Sequence, residues 1–298
     1  MDKTFRITPV YDLLLRGSPE MPIGLYHLHL ATADQLCRLY YRAGMLTTVK
    51  TRLKALADHG YVQVDATPIK HHTPAKVYFS SRYYYTLAQK GMRYLEDIGL
   101  DIDTSFRASN ETGKHSLFID HALELNDILI AALRLKFTDP RFYLARYVHE
   151  RTLKRTPYKV KVNGVTVSLI PDAFLDVHQR RPGQTDLSLP LILEHDRGTE
   201  QQLHFRRRIQ AYRALLQAKG QTQLFGTEAV TVAFTTFVGT RRVMQMRAWA
   251  YQELHDTPQL AGMFLFAELP KPLEPRHLLF ERRWYTLDND QPIALLEG

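Results

Sequence analysis

The 298-residue sequence has a single cysteine, Cys37, so no internal disulfide and no cysteine-rich zinc site can form. No apolar run reaches the length needed to cross a bilayer, and the opening Met1-Asp2-Lys3-Thr4-Phe5-Arg6 lacks the apolar stretch of a secretory signal. The expectation is therefore a cytoplasmic protein with no membrane partner. A Gly-x-Ser-x-Gly elbow, a Walker loop and a dinucleotide fingerprint are all missing, which sets ATP hydrolysis aside. Internal repeats and low-complexity tracts are missing too.

What is present is a balanced composition, 45% hydrophobic and 23% charged, sufficient for cores under a wet surface. A chain of this length predicts two domains. Lys and Arg number 39 against 31 acidic residues, a net charge of +8, which favours a polyanionic partner through counterion release.

In the N-terminal third, Thr32-Ala33-Asp34-Gln35 reads as a helix start, with Thr32 as cap and Gln35 reaching back, and Leu36, Leu39 and Tyr40 on one face. A second amphipathic segment from Thr47 or Thr48 turns Val49, Leu53 and Leu56 inward and Lys50, Thr51, Arg52 and Lys54 outward, closing at His59-Gly60. Tyr61 to Val64 then reads as a strand, residues 65–76 as a polar loop, and Val77-Tyr78-Phe79 as the returning strand. Helix, turn, helix and hairpin is the order of a winged helix-turn-helix. That reading places Thr48, Lys50, Thr51, Arg52 and Lys54 against phosphates and base edges of duplex DNA, with Lys70, His71 and Lys76 on the wing. A solvated charged face beside a hairpin has the same pattern. Residues 83–91 carry three tyrosines and lead into a further helix, and residues 99–116 lose hydrophobic periodicity, which marks a linker. The domains are then 1–98, the winged helix-turn-helix, and 117–298.

The C-terminal part opens with an apolar-rich helix from Leu117 to Leu135. Short strands are expected at 142–148, 165–169, 174–177, 189–193, 230–237 and 262–268, with helices at 201–219 and 241–251. The sum is an α/β fold, a mixed sheet flanked by helices. Acidic residues stand at the ends of its hydrophobic runs: Asp172 in Ile170-Pro171-Asp172-Ala173, and Glu194 and Asp196 after Leu191-Ile192-Leu193. The basic Phe205-Arg206-Arg207-Arg208 follows. Strand-end carboxylates beside a basic helix suit a phosphodiester and its metal ion. Between Arg141 and Gly164, seven Lys/Arg stand against Glu150 alone, interleaved with Phe142, Tyr143, Tyr147 and Tyr158, a mixture suited to a nucleic-acid backbone and bases or to a basic hairpin in solvent.

Several segments together resemble the plasmid replication-relaxation family: the N-terminal helices and hairpin, His121 to Asp127, Ile170-Pro171-Asp172-Ala173, Glu194-His195-Asp196-Arg197-Gly198-Thr199-Glu200, and the basic helix ending in Tyr212. The likeness spans most of the chain and implies a role in plasmid or mobile-element replication, DNA relaxation or mobilisation. Double-stranded DNA, relaxase or replication proteins and a second copy of the chain are the implied partners. The second domain is also similar to the PD-(D/E)xK nuclease fold, in which an aspartate and a later glutamate hold Mg or Mn. Asp172 and Glu194 match those positions, and Glu150 matches the upstream helix glutamate loosely. Where the motif has lysine this chain has Asp196, a third carboxylate that raises a carboxylate pKa or demands a cation. Asp172, Glu194 and Asp196 are thus the metal candidates. Asp172 and Glu194 are the catalytic candidates, with Arg208, or Arg197, standing in for the lysine, although arginine is no base. The same residues also suit a buried network in which Asp196 pairs with Arg197 or Arg208, and Pro171-Asp172 suits a plain turn.

The expected protein is thus a DNA-binding protein with a degenerate nuclease-like domain. The alternatives are an active metal-dependent endonuclease and a winged-helix transcriptional regulator whose second domain dimerises or senses. His27-Leu28-His29 has the spacing of a metal-holding pair if it lies on a strand, but no third histidine stands at a matching distance.

Overall fold

The computed structural model describes residues 20–72, 76–103, 106–107, 109 and 114–296, with the side chains of residues 70–72 and 79 outside the description. Among the described residues the chain is mixed α/β, with twelve helices and three sheets. It forms two compact units that divide between Ile130 and Ala131. No described helix is long and apolar enough to cross a membrane.

The first unit runs α1 (Glu20–Leu28), β1 (Leu30–Ala31), α2 (Ala33–Tyr40), α3 (Leu46–Asp58), β2 (Val62–His72), β3 (Val77–Leu87) and α4 (Gln89–Asp97). Its antiparallel sheet has the order β1-β3-β2, with β2 and β3 paired without a break from Val62↔Leu87 to His72↔Val77. The start of α2 is the capping box that Thr32 and Gln35 predict: Gln35 N donates to Thr32 Oγ1 at 3.1 Å and Thr32 N donates to Gln35 Oε1 at 3.1 Å. In α3, Val49 and Leu53 are fully buried and Leu56 half-buried, so the predicted inward stripe is the one observed. The segment expected as a polar loop at 65–76 is instead strand as far as His72, because the hairpin pairing continues well beyond Val64.

Most of α5 (Ser116–Leu133) packs with this first unit. Buried Asn126 donates from Nδ2 to the carbonyls of Leu28 at 3.1 Å and Leu30 at 2.7 Å, and Gln35 Nε2 donates to Leu123 O at 2.7 Å. A backbone carbonyl left over at the end of α1 is thereby satisfied by a side chain almost a hundred residues away. The linker predicted at 99–116 lies in good part outside the described residues. The two histidines at 27 and 29 do not share a strand. His27 stands in the last turn of α1, where burial pushes its pKa down to about 4, and His29 takes a left-handed backbone with φ 66°.

The second unit begins with α6 (Leu135–Thr138) and β4 (Phe142–His149), then α7 (Glu150–Arg155) and the hairpin β5 (Tyr158–Val162) and β6 (Val165–Leu169). It continues with β7 (Ala173–Gln179), β8 (Leu187–Asp196), α8 (Gln202–Gln217), α9 (Gly220–Phe225), β9 (Thr231–Thr236), α10 (Thr240–Leu254), α11 (Pro258–Ala261), β10 (Phe264–Glu268), α12 (Pro275–Leu279) and β11 (Trp284–Tyr285). The main sheet has the order β11-β10-β9-β8-β7-β4. Strands β4, β7 and β8 are antiparallel neighbours, and β8, β9 and β10 are parallel. Parallel neighbours need a crossover, supplied by α8 between β8 and β9 and by α10 between β9 and β10. A central strand covered on both faces reads as a continuous apolar run, as Leu191-Ile192-Leu193 does, with all three at most 1% exposed. The core beneath α8 joins Phe205, Ile209 and Tyr212 to Phe234 and Phe266 of the sheet. Because β7 and β8 are antiparallel, with Ala173 opposite Leu193, the start of β7 and the end of β8 meet at one edge. That register brings Asp172 to Glu194.

Candidate functional site

Glu194 and Asp196, two residues apart on β8, project to one face of the sheet, and His195 projects to the other. All three are buried, as is Asp172. Asp172 Oδ2 accepts a 2.7 Å hydrogen bond from His195 N, which ties the start of β7 to the end of β8. On the opposite face, His195 Nδ1 lies 3.0 Å from Thr235 Oγ1, and that hydroxyl donates to Glu194 O at 3.2 Å. The histidine thus fixes the strand and takes no place among the carboxylates.

Helix α8 carries Arg208 and Tyr212 one turn apart on one face. Arg208 Nη1 stands 2.6 Å from Glu194 Oε2, and Arg208 Nη2 stands 3.0 Å from Glu200 Oε1. Tyr212, fully buried, donates its hydroxyl to Glu194 Oε1. Both oxygens of Glu194 are therefore engaged. Asp196 meets a different cation. Arg242, in the first turn of α10, grips it as a two-point fork, Nε to Oδ1 at 2.7 Å and Nη2 to Oδ2 at 2.8 Å. Arg242 Nη2 also donates to Glu200 O at 2.8 Å, and its guanidinium lies 4.9 Å from the ring centroid of Trp249. The turn after β8 depends on Gly198. Its φ of +78° is left-handed, its N–H donates to Asp196 Oδ1 at 2.7 Å, and an added Cβ would press on Val238 at 3.0 Å.

The electrostatics follow from four carboxylates facing two guanidinium groups, with Arg242 buried and Arg208 about a third exposed. Burial pushes Glu194 up to about 8; the Arg208 charge opposes this and the Asp172 charge adds to it. Glu200 is raised by burial as well, again against Arg208. Tyr212 is lifted far above the ordinary phenol range by burial and then by the Glu194 charge, so it stays a donor. Burial alone would lower Arg208, but Glu194, Glu200 and Asp172 outweigh it and raise it. As arranged, the donor set does not fit a divalent ion: the oxygens of Glu194 and Asp196 are taken by guanidinium and phenol donors. Among the described residues no group of three or more His, Cys, Asp or Glu is placed to hold a metal.

Of the site residues expected from sequence, Asp172, Glu194 and Arg208 come together. Asp196 ends in the same cluster but on a separate cation. The pairing expected of Asp196 with Arg197 or Arg208 is replaced by one with Arg242, forty-six residues on in sequence, which sequence reasoning missed along with the part taken by Glu200. The only signal for Arg242 was indirect: three carboxylates at strand ends need more positive charge than Arg208 supplies. The basic Arg206-Arg207-Arg208 run is also less open than its charge suggests, since Arg206 pairs with Glu253 on α10 and only Arg207 is exposed.

In the first unit, Thr48, Lys50, Thr51, Arg52 and Lys54 are all exposed on α3. Three of them have partners within the unit. Arg52 Nη1 bridges Glu20 Oε1 at 3.2 Å and Tyr41 Oη at 2.7 Å, and Lys54 Nζ pairs with Asp58 at 2.7 Å. Thr51 donates back to Thr47 O at 3.1 Å. Lys76 is exposed at the start of the returning strand, its ammonium 5.6 Å from the Tyr78 ring centroid. The side chains of Lys70 and His71 lie outside the described residues.

The chain therefore joins a helix and hairpin unit bearing an exposed cationic helix to a mixed-sheet unit whose strand-end carboxylates are closed by arginines. It belongs to the replication-relaxation family, whose model matches residues 24–228, more than half of the chain and inclusive of both α3 and the Asp172–Glu194 edge. No curated protein and no solved structure matches it. Membership supports a role in replication or relaxation of plasmid or other mobile-element DNA.

Proposed function

We propose that this protein binds duplex DNA of a plasmid or other mobile element through its first unit, which acts as a winged helix, and that its second unit is a nuclease-like domain that no longer cuts. The observation that carries the binding is α3 itself: Val49 and Leu53 anchor it while Thr48, Lys50 and Thr51 face solvent. An anchored helix with short polar and cationic residues outward suits a major groove, and the β2–β3 hairpin stands where a wing would. The order β4-β7-β8-β9, antiparallel and then parallel across α8, with Asp172 and Glu194 at one edge, supports the nuclease-like reading. Arg208 lies against Glu194, where the motif would have a metal ion, and Arg242 neutralises the Asp196 that stands in the lysine position.

A titration of labelled duplex DNA at several salt concentrations tests the binding. Wild-type affinity should fall steeply with salt, and Lys50→Ala should weaken binding and lower the salt slope by about 1, with folding stability nearly unchanged. An unaltered slope would remove α3 from the interface. The rival reading, an active endonuclease, draws on the meeting of Asp172 with Glu194. It requires Mn²⁺ to raise the melting temperature by mass action and Asp172→Asn to abolish that rise.

A further inference from the structure

The basic and aromatic stretch after Arg141 has no part in either site above. In the second unit it borders a cavity of about 470 Å³, inside the range of roughly 300–1,000 Å³ typical of small-molecule sites. Val148, Leu224 and Phe225 give it apolar walls, and Arg146, Tyr158 and Lys159 give it charge and an aromatic ring. Arg146 is set firmly. Its guanidinium lies 4.7 Å from the ring centroid of Phe174, which itself stacks on Phe225 at 4.2 Å, and its Nη2 donates to Phe225 O. Unlike Arg208 and Arg242, this arginine has a neutral carbonyl rather than a carboxylate as its hydrogen-bond partner; burial lowers its pKa, against the opposing charge of Asp176 on the neighbouring strand.

Tyr158 lies so close over α9 that a Cβ at Gly220 would come within 2.5 Å of its hydroxyl, so glycine there lets the ring rest against the helix. Lys159 is exposed at the rim. Around the cavity, α7 and β5 carry Arg151, Lys154, Arg155 and Lys161, while the one acid among them, Glu150, is paired with Lys154.

We propose that this cavity takes one nucleotide, its base against Phe225, Leu224 and Tyr158 and its phosphate at Arg146 and Lys159, and that the exposed Arg155 and Lys161 track the strand beyond it. A paired and stacked base cannot enter such a space, so the ligand is an unpaired nucleotide, from a single-stranded segment or free in solution. This cavity belongs to the second unit and α3 to the first, and its ligand differs from the duplex DNA of the proposed function.

The full-length protein is titrated into a dye-labelled oligothymidylate of about ten nucleotides and, separately, into a duplex of that length. Wild type should bind the oligothymidylate, and Lys159→Glu, an exposed change that spares the core, should weaken that binding about tenfold. Arg146→Lys, which keeps the charge but loses the planar fork, should weaken it by a smaller factor. Lys50→Ala should lower duplex affinity and leave the oligothymidylate untouched, so failure of this site and failure of the α3 reading are distinguishable. Competition by thymidine monophosphate at millimolar concentration assigns the ligand to the free nucleotide, whereas binding that only strands sustain assigns it to single-stranded DNA; both support the site. Oligothymidylate binding that is absent, or equal in wild type, Lys159→Glu and Arg146→Lys, overturns it.

Discussion

The solvent face of α3 and the buried end of β8 both gather charged residues, and the two regions differ in where those charges find their partners. On α3, Lys50 and its threonine neighbours point into water; the Lys54–Asp58 pair is exposed on both sides, and Arg52, itself half in water, reaches a largely buried Glu20. At the end of β8, Glu194 and Asp196 are each 3% exposed in their side chains and held by arginines from two helices. Exposed charge keeps its affinity for a partner outside the molecule. Buried charge is bound within it, and a substitution there is felt first in folding. The lesson is that a basic or acidic run in sequence says nothing of function until its burial is known.

The sharpest way to break this comparison is Arg242→Met. Asp196 would remain buried with no cation, and stability should fall by about 3–5 kcal/mol in urea unfolding; Asp196→Asn in the same chain should restore part of it. A loss no larger than that of an exposed pair would mean that the β8 end behaves as a surface.

Next in size is a dependence on pH. The folded carboxyl of Glu194 has a pKa raised to about 8, above that of the unfolded chain, so the folded state holds its proton more tightly. Its contribution to stability is present in full below the unfolded value and is lost as pH rises through about 8. Unfolding free energy followed from about pH 5 to about pH 9 should show that decline, and Glu194→Gln should flatten it. An unchanged profile in the variant would place the titration elsewhere.

The smallest effect separates two cations on α3. Arg52→Ala removes the bridge to Glu20 and Tyr41 and should cost up to about 1 kcal/mol, since the side chain is half in water. A loss of several kcal/mol would show Arg52 to be part of the fold rather than of the exposed face.

Much of this was legible in sequence wherever neighbours along the chain decide the outcome. The capping box at Thr32, the inward Val49 and Leu53, strand β6 at Val165–Leu169 and the apolar run of β8 depend on local chemistry and periodicity, and each is found as expected. The convergence of Asp172 and Glu194 was legible too, since acids at the ends of apolar runs stand at strand ends. What was hidden is set by contacts distant in sequence. Arg242 begins a helix with nothing local to mark it as the partner of Asp196, and Asn126 looks like any polar residue until its bonds to Leu28 and Leu30 tie α5 to the first unit. The hairpin extends to His72 because pairing across strands overrides a polar local sequence.

The most direct test of the central claim, that arginines have closed the acidic centre of the second unit while the first still binds DNA, is incubation of the purified protein with supercoiled and linear DNA in Mg²⁺, in Mn²⁺ and in chelator. The expected result is a protein that retards the DNA in every condition and leaves it uncut. Metal-dependent nicking or cutting that disappears in Asp172→Asn would contradict the claim and make Asp172 and Glu194 working ligands of a nuclease.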